Sequence, residues 1–265
     1  MHINTFDRYE VQESLIHHLD PRVKVAITVL FIVSNVILPD GAWLAFLLAW
    51  GLVLWVNLLA SLGLDYAFKR SFIALPFALA AITSIFALEG QPLATFTIGS
   101  WQMVVTDAGL IRFTSIVIRS WLSVQMAILL TATTQFPDLM HALRHLRVPQ
   151  LLVAIISFMY RYLFVLADEA LRLLRAREAR SARLASGPGG GSVMWRARVA
   201  GNMVGQLFLR SYERSDRIYN AMLARGYAGH FLTLNPHVMQ AKDWIMGILA
   251  VVILLILQLV GYLTL

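Results

Sequence analysis

The 265-residue sequence contains no cysteine. That excludes a disulfide framework, thiolate metal sites and a cysteine nucleophile, and it leaves the redox compartment open. Charge is scarce as well: Asp, Glu, Lys and Arg make up 14% of the chain against 58% apolar residues, and the mean hydropathy is +0.68. Soluble domains carry about a quarter of their residues charged, so this balance points to a membrane protein. What charge remains is mostly basic, with 22 Lys and Arg against 15 Asp and Glu and a formal net charge of +7. In a membrane protein such an excess marks cytoplasmic faces. The first 22 residues lack the apolar stretch of a secretory signal peptide and instead carry Asp7, Arg8, Glu10, Glu13, His17 and His18. The N-terminus is therefore expected to stay on the mature protein.

Motifs that carry chemistry are also missing. The glycine-rich run Ser186-Gly187-Pro188-Gly189-Gly190-Gly191-Ser192 has no following Lys and does not come after a strand, so it is not a phosphate-binding loop. The chain has no Gly-x-Ser-x-Gly elbow, no His-Glu-x-x-His pair and no dyad of intramembrane carboxylates. No enzymatic role, cofactor, bound metal or nucleic-acid partner is expected.

What the chain does have is apolar runs. Crossing about 30 Å of hydrocarbon takes about 20 apolar residues, with tolerance for tilt and for basic side chains that reach back to the headgroups. Four runs fall in the first half, at residues 23–38, 42–62, 71–88 and 113–134, and a fifth, 244–265, closes the chain. The first is short, and Arg22 and Lys24 are expected to reach the headgroups from its start. Residues 148–167 are apolar too, but their uncharged part, 148–160, spans only about 20 Å and reads as an interfacial or buried helix. Basic residues cluster at Arg8, Arg22 and Lys24, at Lys69 and Arg70, and above all from Arg144 to Lys242, which holds 15 of the 22. That distribution predicts a cytoplasmic N-terminus, four alternating spans, a cytoplasmic region and a final crossing, with the lipid bilayer as the solvent of the apolar part.

The expected architecture is all-α and polytopic, with about five transmembrane helices. It comprises an N-terminal segment, 1–22; transmembrane helices one to four within 23–134; a cytoplasmic region of long helices, 135–241; and a C-terminal transmembrane helix, 242–265. Within the cytoplasmic region a short amphipathic helix is expected over 136–146, opened by Pro137 and Asp138. A long helix follows from Val148 to about Ala185, with no Gly or Pro beyond its first turn. Residues 186–192 form a flexible joint, with Gly187, Gly189, Gly190 and Gly191 as its hinge. A second long helix runs from about Trp195 to Arg225, with Gly226 as its C′ cap.

Both long helices end alike, 45 residues apart. The first ends on Ala176, Ala179, Arg180 and Ser181, the second on Ala221, Ala224, Arg225 and Gly226. Alanines at i, i+3 leave a smooth stripe on one face, open to close approach by a partner. The arginine that follows can bind a carboxylate in bidentate fashion and complements the helix dipole. Read alone, either copy is also what a good helix former leaves at a helix end.

These paired endings resemble the Ala-Arg-Gly signatures of the T component of energy-coupling factor (ECF) transporters, the EcfT/CbiQ family, with Ser181 in place of the first glycine. The resemblance covers nearly the whole chain. It includes Leu19-Asp20-Pro21-Arg22-Val23-Lys24, the stretch Thr133-Thr134-Gln135-Phe136-Pro137-Asp138-Leu139, and Tyr160-Arg161-Tyr162-Leu163-Phe164 leading to Asp168-Glu169. Asp7-Arg8-Tyr9 and Arg161-Tyr162 look most like the cobalt-type branch. The resemblance implies a non-catalytic subunit of the inner membrane that joins two cytoplasmic ATPase subunits to a substrate-binding membrane S component, with or without a small accessory membrane subunit. It implies that Arg180 and Arg225 pair with acidic groups of the ATPases and that the flanking small residues form close-packed ends. Cobalt is the cargo it implies first, with nickel or a vitamin behind. A self-contained permease is the alternative, but it needs its own midplane polar site or an inverted repeat, and neither is evident.

Three further sets of residues have two readings each. His141 and His145, at i, i+4, could bind a divalent ion, but no third ligand follows at ligand spacing, and a solvated polar face explains them. Arg119, about two turns inside the fourth run, is either functional or a side chain that snorkels outward beside Arg112. Met140, Phe158, Met159, Met194, Met203 and Phe208 are either core or an adaptable packing surface.

Overall fold

The computed structural model describes residues 9–10, 12–87, 90–98, 101–180, 192–229 and 239–264. Its described residues are almost entirely helical, and they divide into two compact units. One comprises Met1–Leu146 with Pro236–Leu265, the other Arg147–Asn235.

The first unit opens with α1 (Pro21–Ile37), started by the carboxylate of Asp20, which accepts the Arg22 N–H at 2.8 Å, and by Pro21 in the first turn, where its missing N–H costs nothing. After a tight turn at Gly41, whose φ of +85° suits glycine, α2 (Trp43–Leu59) returns. Each has 17 residues, about 26 Å of helix, the short end of what can span a bilayer. The third apolar run is segmented: α3 (Leu64–Arg70), a 3-10 turn (Ser71–Ala74), α4 (Leu75–Ala81) and α5 (Ser84–Ala87). Pro76 has no N–H to offer the preceding turn, and the hydroxyls of Thr83 and Ser84 donate to the Ala80 and Ala81 carbonyls at the second break. The helical stretch Tyr66–Phe86 thus starts about a turn earlier than hydropathy alone suggests, and it takes in Lys69 and Arg70.

One element departs from the all-α expectation. Strand β1 (Pro92–Ile98) pairs antiparallel with β2 (Trp101–Thr106), Phe96 opposite Met103, in a two-stranded ribbon. Helix α6 (Asp107–Thr133) follows, its start capped by Thr106, whose hydroxyl accepts the Gly109 N–H at 3.1 Å. Then come α7 (Phe136–His145) and, at the end of the chain, α10 (Ala241–Leu263).

The core of this unit is apolar side chains of α1, α2, α6 and α10, among them Phe31, Ala45, Val53, Leu122, Leu129 and Leu257. Polar side chains tie the same helices together. The Asn35 amide donates to the Arg119 carbonyl at 2.9 Å and to the Ser123 hydroxyl at 3.0 Å, joining α1 to α6. The Gln258 amide donates to the Ser34 hydroxyl at 2.7 Å, joining α10 to α1.

The second unit consists of α8 (Gln150–Arg180), 31 residues, and α9 (Val193–Ala224), 32 residues. Ser192 caps α9, accepting the Trp195 N–H at 3.3 Å, so the helix begins two residues before the expected start. Among the described residues four helical stretches are long and apolar enough to cross a membrane: Tyr66–Phe86, Asp107–Thr133, Gln150–Arg180 and Ala241–Leu263. The α8 stretch, expected to lie at or under the membrane, therefore also has the length and composition of a span.

Gly109 sits where α6 passes the backbone of α5. A Cβ there would run into the Ile85 carbonyl and lie 2.8 Å from the Thr106 hydroxyl. We expect Gly109→Ala to destabilise the membrane unit by about 1–3 kcal/mol, read as a lower unfolding midpoint in detergent, whereas Gly51→Ala, which meets nothing within 4 Å, should not.

Candidate functional site

The two arginine endings are carried by the second unit. On α8, Ala176, Ala179 and Arg180 are all exposed, and so on α9 are Ala221 and Ala224, with Arg225 and Gly226 just beyond. Ser181 and the hinge glycines Gly187, Gly189, Gly190 and Gly191 lie outside the described residues. The second ending is fully built. Arg225 is the C-cap, and Gly226 adopts φ +79°. The Gly226 N–H bonds the Leu223 carbonyl at 2.9 Å and the Tyr227 N–H bonds the Met222 carbonyl at 3.0 Å. This reciprocal pair satisfies carbonyls that the helix leaves open and is the reason a glycine stands after the arginine. The backbone thus turns sharply away and leaves Arg225 at the tip.

The two arginines are not brought together. Glu169 of α8 accepts Arg210 of α9 at 2.6 Å and also faces Arg172 on its own helix at 3.8 Å. From that bridge Arg180 lies 11 residues further along α8, about 16 Å, and Arg225 15 residues further along α9, about 22 Å. Leu151 and Phe158, before the bridge on α8, line one cavity with Ile218, Met222 and Tyr227, after the bridge on α9. The helices therefore pair in an antiparallel sense, and their arginine ends point to opposite sides of the bridge. The cavity holds about 500 Å³ and is mostly apolar, with Arg210 and Arg214 at its edge. Met159, Met194 and Phe208, counted among possible core residues, are instead exposed, as are Val204 and Tyr212. Met203 and Phe158 are half-buried, and Met140 is buried in the first unit.

In the first unit the resemblance segment Leu19-Asp20-Pro21-Arg22-Val23-Lys24 forms a polar latch. Asp243, 2% exposed, accepts the Asp20 N–H at 3.1 Å through Oδ1 and the Gln240 N–H at 2.9 Å through Oδ2, so one carboxylate caps α10 and fixes the start of α1 to it. Lys24 was expected to reach for the headgroups, and the structure corrects this. The side chain turns inward, 8% exposed, and Nζ donates to the carbonyls of His17 and Thr133 at 3.0 Å each. The end of α6 leaves the Thr133 carbonyl without a helical partner, and an ammonium is its strongest available donor. His17 completes the latch. Nε2–H donates to the Glu10 carbonyl at 3.2 Å, which leaves Nδ1 to accept the Ser14 hydroxyl at 2.7 Å. Burial, with the Lys24 ammonium next to it, holds the imidazole below its usual pKa, so the neutral ring is the favoured form.

The Arg119 head group is held within the chain at the 38–40 turn. Its guanidinium pairs with Asp40 at 2.9 Å, donates to the Leu38 carbonyl at the end of α1 and lies over the Phe46 ring at 5.6 Å. It therefore anchors the turn between α1 and α2. His141 and His145 lie against each other on α7 with ring centroids 4.6 Å apart and planes tilted by 46°, and His145 Nδ1–H donates to the His141 carbonyl. No group of three or more potential ligands for a metal ion occurs among the described residues.

Substitutions at two glycines separate the cap from the rest of α9. Gly226→Ala forces a Cβ into the left-handed region at a cost of about 1–2 kcal/mol, and hydrogen exchange at Gly226 and Tyr227 should speed up accordingly. Gly205→Ala, in mid-helix with nothing within 4 Å, should instead slow exchange, gaining roughly 0.5–1 kcal/mol.

Comparison with known proteins matches residues 12–238 to the CbiQ family, described as cobalt transport proteins. Among curated relatives, the chain is 28% identical to the EcfT energy-coupling factor transporter transmembrane protein of Thermosediminibacter oceani over 85% of this chain and 84% of that one. It is also 28% identical to the cobalt transport protein CbiQ of Salmonella typhimurium, over 85% and 97% of the two chains. An uncharacterised protein of Methanocaldococcus jannaschii is 27% identical over 90% and 80%. With nearly its whole length matched and its described residues forming helices that suit a bilayer, the chain belongs to the CbiQ family and is a multi-pass, all-α membrane protein.

Proposed function

We propose that this chain is the T component of an ECF-type importer, a non-catalytic subunit that transmits the motion of two cytoplasmic ATPase subunits to a membrane S component carrying the substrate. The observation that carries this reading is the exposed pair of Ala-Arg helix ends on opposite sides of the Glu169–Arg210 bridge. Two separated anchors suit two separate ATPase subunits. A single surface would be enough for one partner. Exposed alanines at Ala176, Ala179, Ala221 and Ala224 allow a groove wall to approach the helix backbone, and each arginine offers a bidentate fork to a carboxylate.

In this reading the membrane unit supplies five spans with the N-terminus in the cytoplasm of the inner membrane, and residues 135–241 remain cytoplasmic because 15 basic residues fall between Arg144 and Lys242. The joint at 186–192 lets α8 and α9 follow their own ATPase. Cobalt is the proposed cargo, from the family's description and from the likeness to CbiQ; the same coupling would serve nickel or a vitamin with another S component. A permease would need polar groups free for solute in the apolar part. The Asn35 and Asn57 amide nitrogens and the Arg119 guanidinium each make a bond within the chain.

The test is co-purification of the tagged protein, expressed with its genomic neighbours. Arg180→Ala or Arg225→Ala should each weaken ATPase capture by about 2–5 kcal/mol where the partner carboxylate is left buried and unpaired, and Arg180→Glu with Arg225→Glu should abolish it. Undiminished capture by the double variant, or transport in liposomes by the chain alone without ATP, contradicts the proposal.

A further inference from the structure

The described residues before α1, 9–10 and 12–20, form a strap over the end of α6, a feature independent of any ATPase. Helix α6 stops at Thr133 and leaves its last carbonyls without helical partners. The Ala132 carbonyl accepts the Glu10 N–H at 3.1 Å, and the Thr133 carbonyl accepts the Lys24 ammonium at 3.0 Å. His17 joins these two bonds into a ring. Its Nε2–H donates to the Glu10 carbonyl at 3.2 Å, and its own carbonyl accepts Lys24 Nζ at 3.0 Å. The ring thus passes from Ala132 through Glu10, His17 and Lys24 to Thr133, and the last peptide link of α6 closes it. Only Thr134 and Gln135 separate this point from α7, so the same ring fixes where α7 begins.

The member of the ring that can gain a proton near neutral pH is His17. In its neutral form Nδ1 accepts the Ser14 hydroxyl at 2.7 Å, and the Tyr9 ring stands edge-on at 5.9 Å. A proton on Nδ1 would reverse the Ser14 bond and set a second positive charge beside Lys24. The charged groups around it meet at one polar cavity of about 360 Å³. Its walls carry His18 of the strap, Asp20 and Lys24 at the start of α1, Asp138 of α7, and Lys242 and Asp243 of α10. Glu10 and Glu13 belong to the strap itself. The carboxylates of Asp138, Asp20 and Asp243 balance the Lys24 ammonium. Around His17 the hydrogen bond to the Glu10 carbonyl favours a charged ring, but burial and the Lys24 ammonium outweigh it, and His18 adds to them.

We propose that the strap is a proton-released lock on the end of α6, closed while the His17 ring is neutral and open once the ring is charged. Opening takes the Glu10 N–H off the Ala132 carbonyl and frees the last turn of α6, with the start of α7, to move. Because the closed strap disfavours a charged ring, the open form binds the extra proton. The lock therefore holds above the ordinary histidine value of about 6.5 and weakens as pH falls below it.

The test is hydrogen exchange at the Glu10 amide of the whole chain in lipid nanodiscs, from about pH 8 to about pH 5.5, each rate taken relative to an unstructured peptide at the same pH. Wild-type protection should be constant at the upper end and then fall by up to about tenfold per pH unit, the limit for one proton taken up on opening. His17→Gln keeps a donor in the Nε2 position and has no proton to gain. Its protection should not change with pH, whether the amide holds the strap or lets it go. His18→Gln, at an exposed position, should fall as wild type does. Amides in the middle of α2 should stay protected throughout, which separates release of the strap from unfolding of the unit. Wild-type protection that does not move with pH, a fall that persists in His17→Gln, a fall abolished by His18→Gln, or an equal loss in α2 would each overturn the proposal.

Discussion

Within hydrocarbon, an apolar side chain gains little by exchanging lipid for another apolar side chain, so helix association depends on close packing and on polar ties. The membrane unit shows how few such ties suffice. Asn35 links α1 to α6, Gln258 links α10 to α1, and Arg119 holds the turn between α1 and α2. At the other end Asp243 and Lys24 gather the starts of α1 and α10 and the end of α6. Three of these ties, Lys24 at the Thr133 carbonyl, Arg119 at the Leu38 carbonyl and Asp243 at the Asp20 N–H, serve backbone groups at helix ends, which in lipid have no water to turn to. Small residues do the rest: Gly261 receives Leu38, and Ala45 and Ala49 are buried on α2.

The α8–α9 unit is built on the opposite plan. Its helices share the Glu169–Arg210 ion pair, α9 has no buried residue among those described, and large apolar side chains such as Val204, Phe208 and Tyr212 are about two-thirds exposed. An ion pair with an exposed arginine adds little stability. A surface this apolar in a transporter component is suited to being covered by other subunits.

Local signals were legible where one residue decides. Pro137 predicts the start of α7 and Gly226 the end of α9, because caps depend on side chain and backbone within a few residues; Asp20 and Pro21 carry the same signal for α1, whose run the apolar count starts two residues later, at 23. Paired Ala-Arg endings were legible as a repeat, though not their placement on opposite sides of a bridge, which depends on the contact of Glu169 with Arg210 across 41 residues. The inward turn of Lys24 was hidden for the same reason: its partner is a carbonyl 109 residues away. The ribbon at 92–106 was missed because the stretch was read for charge, of which it has little, and not for its alternation of β-branched and aromatic residues. Segmentation of the third run was signalled by Pro76 and overlooked in favour of length.

The absence of native cysteine makes the central claim directly measurable. Spin labels at Ala179→Cys and Ala224→Cys, one turn or less from each arginine and both at exposed positions, report the separation of the two helix ends by pulsed electron resonance. In complex with its ATPase subunits the account predicts a distance distribution that shifts between nucleotide-free and ATP-bound states, and no shift on adding ATP to the chain alone. A single unchanged distribution in the complex across all nucleotide states would contradict it.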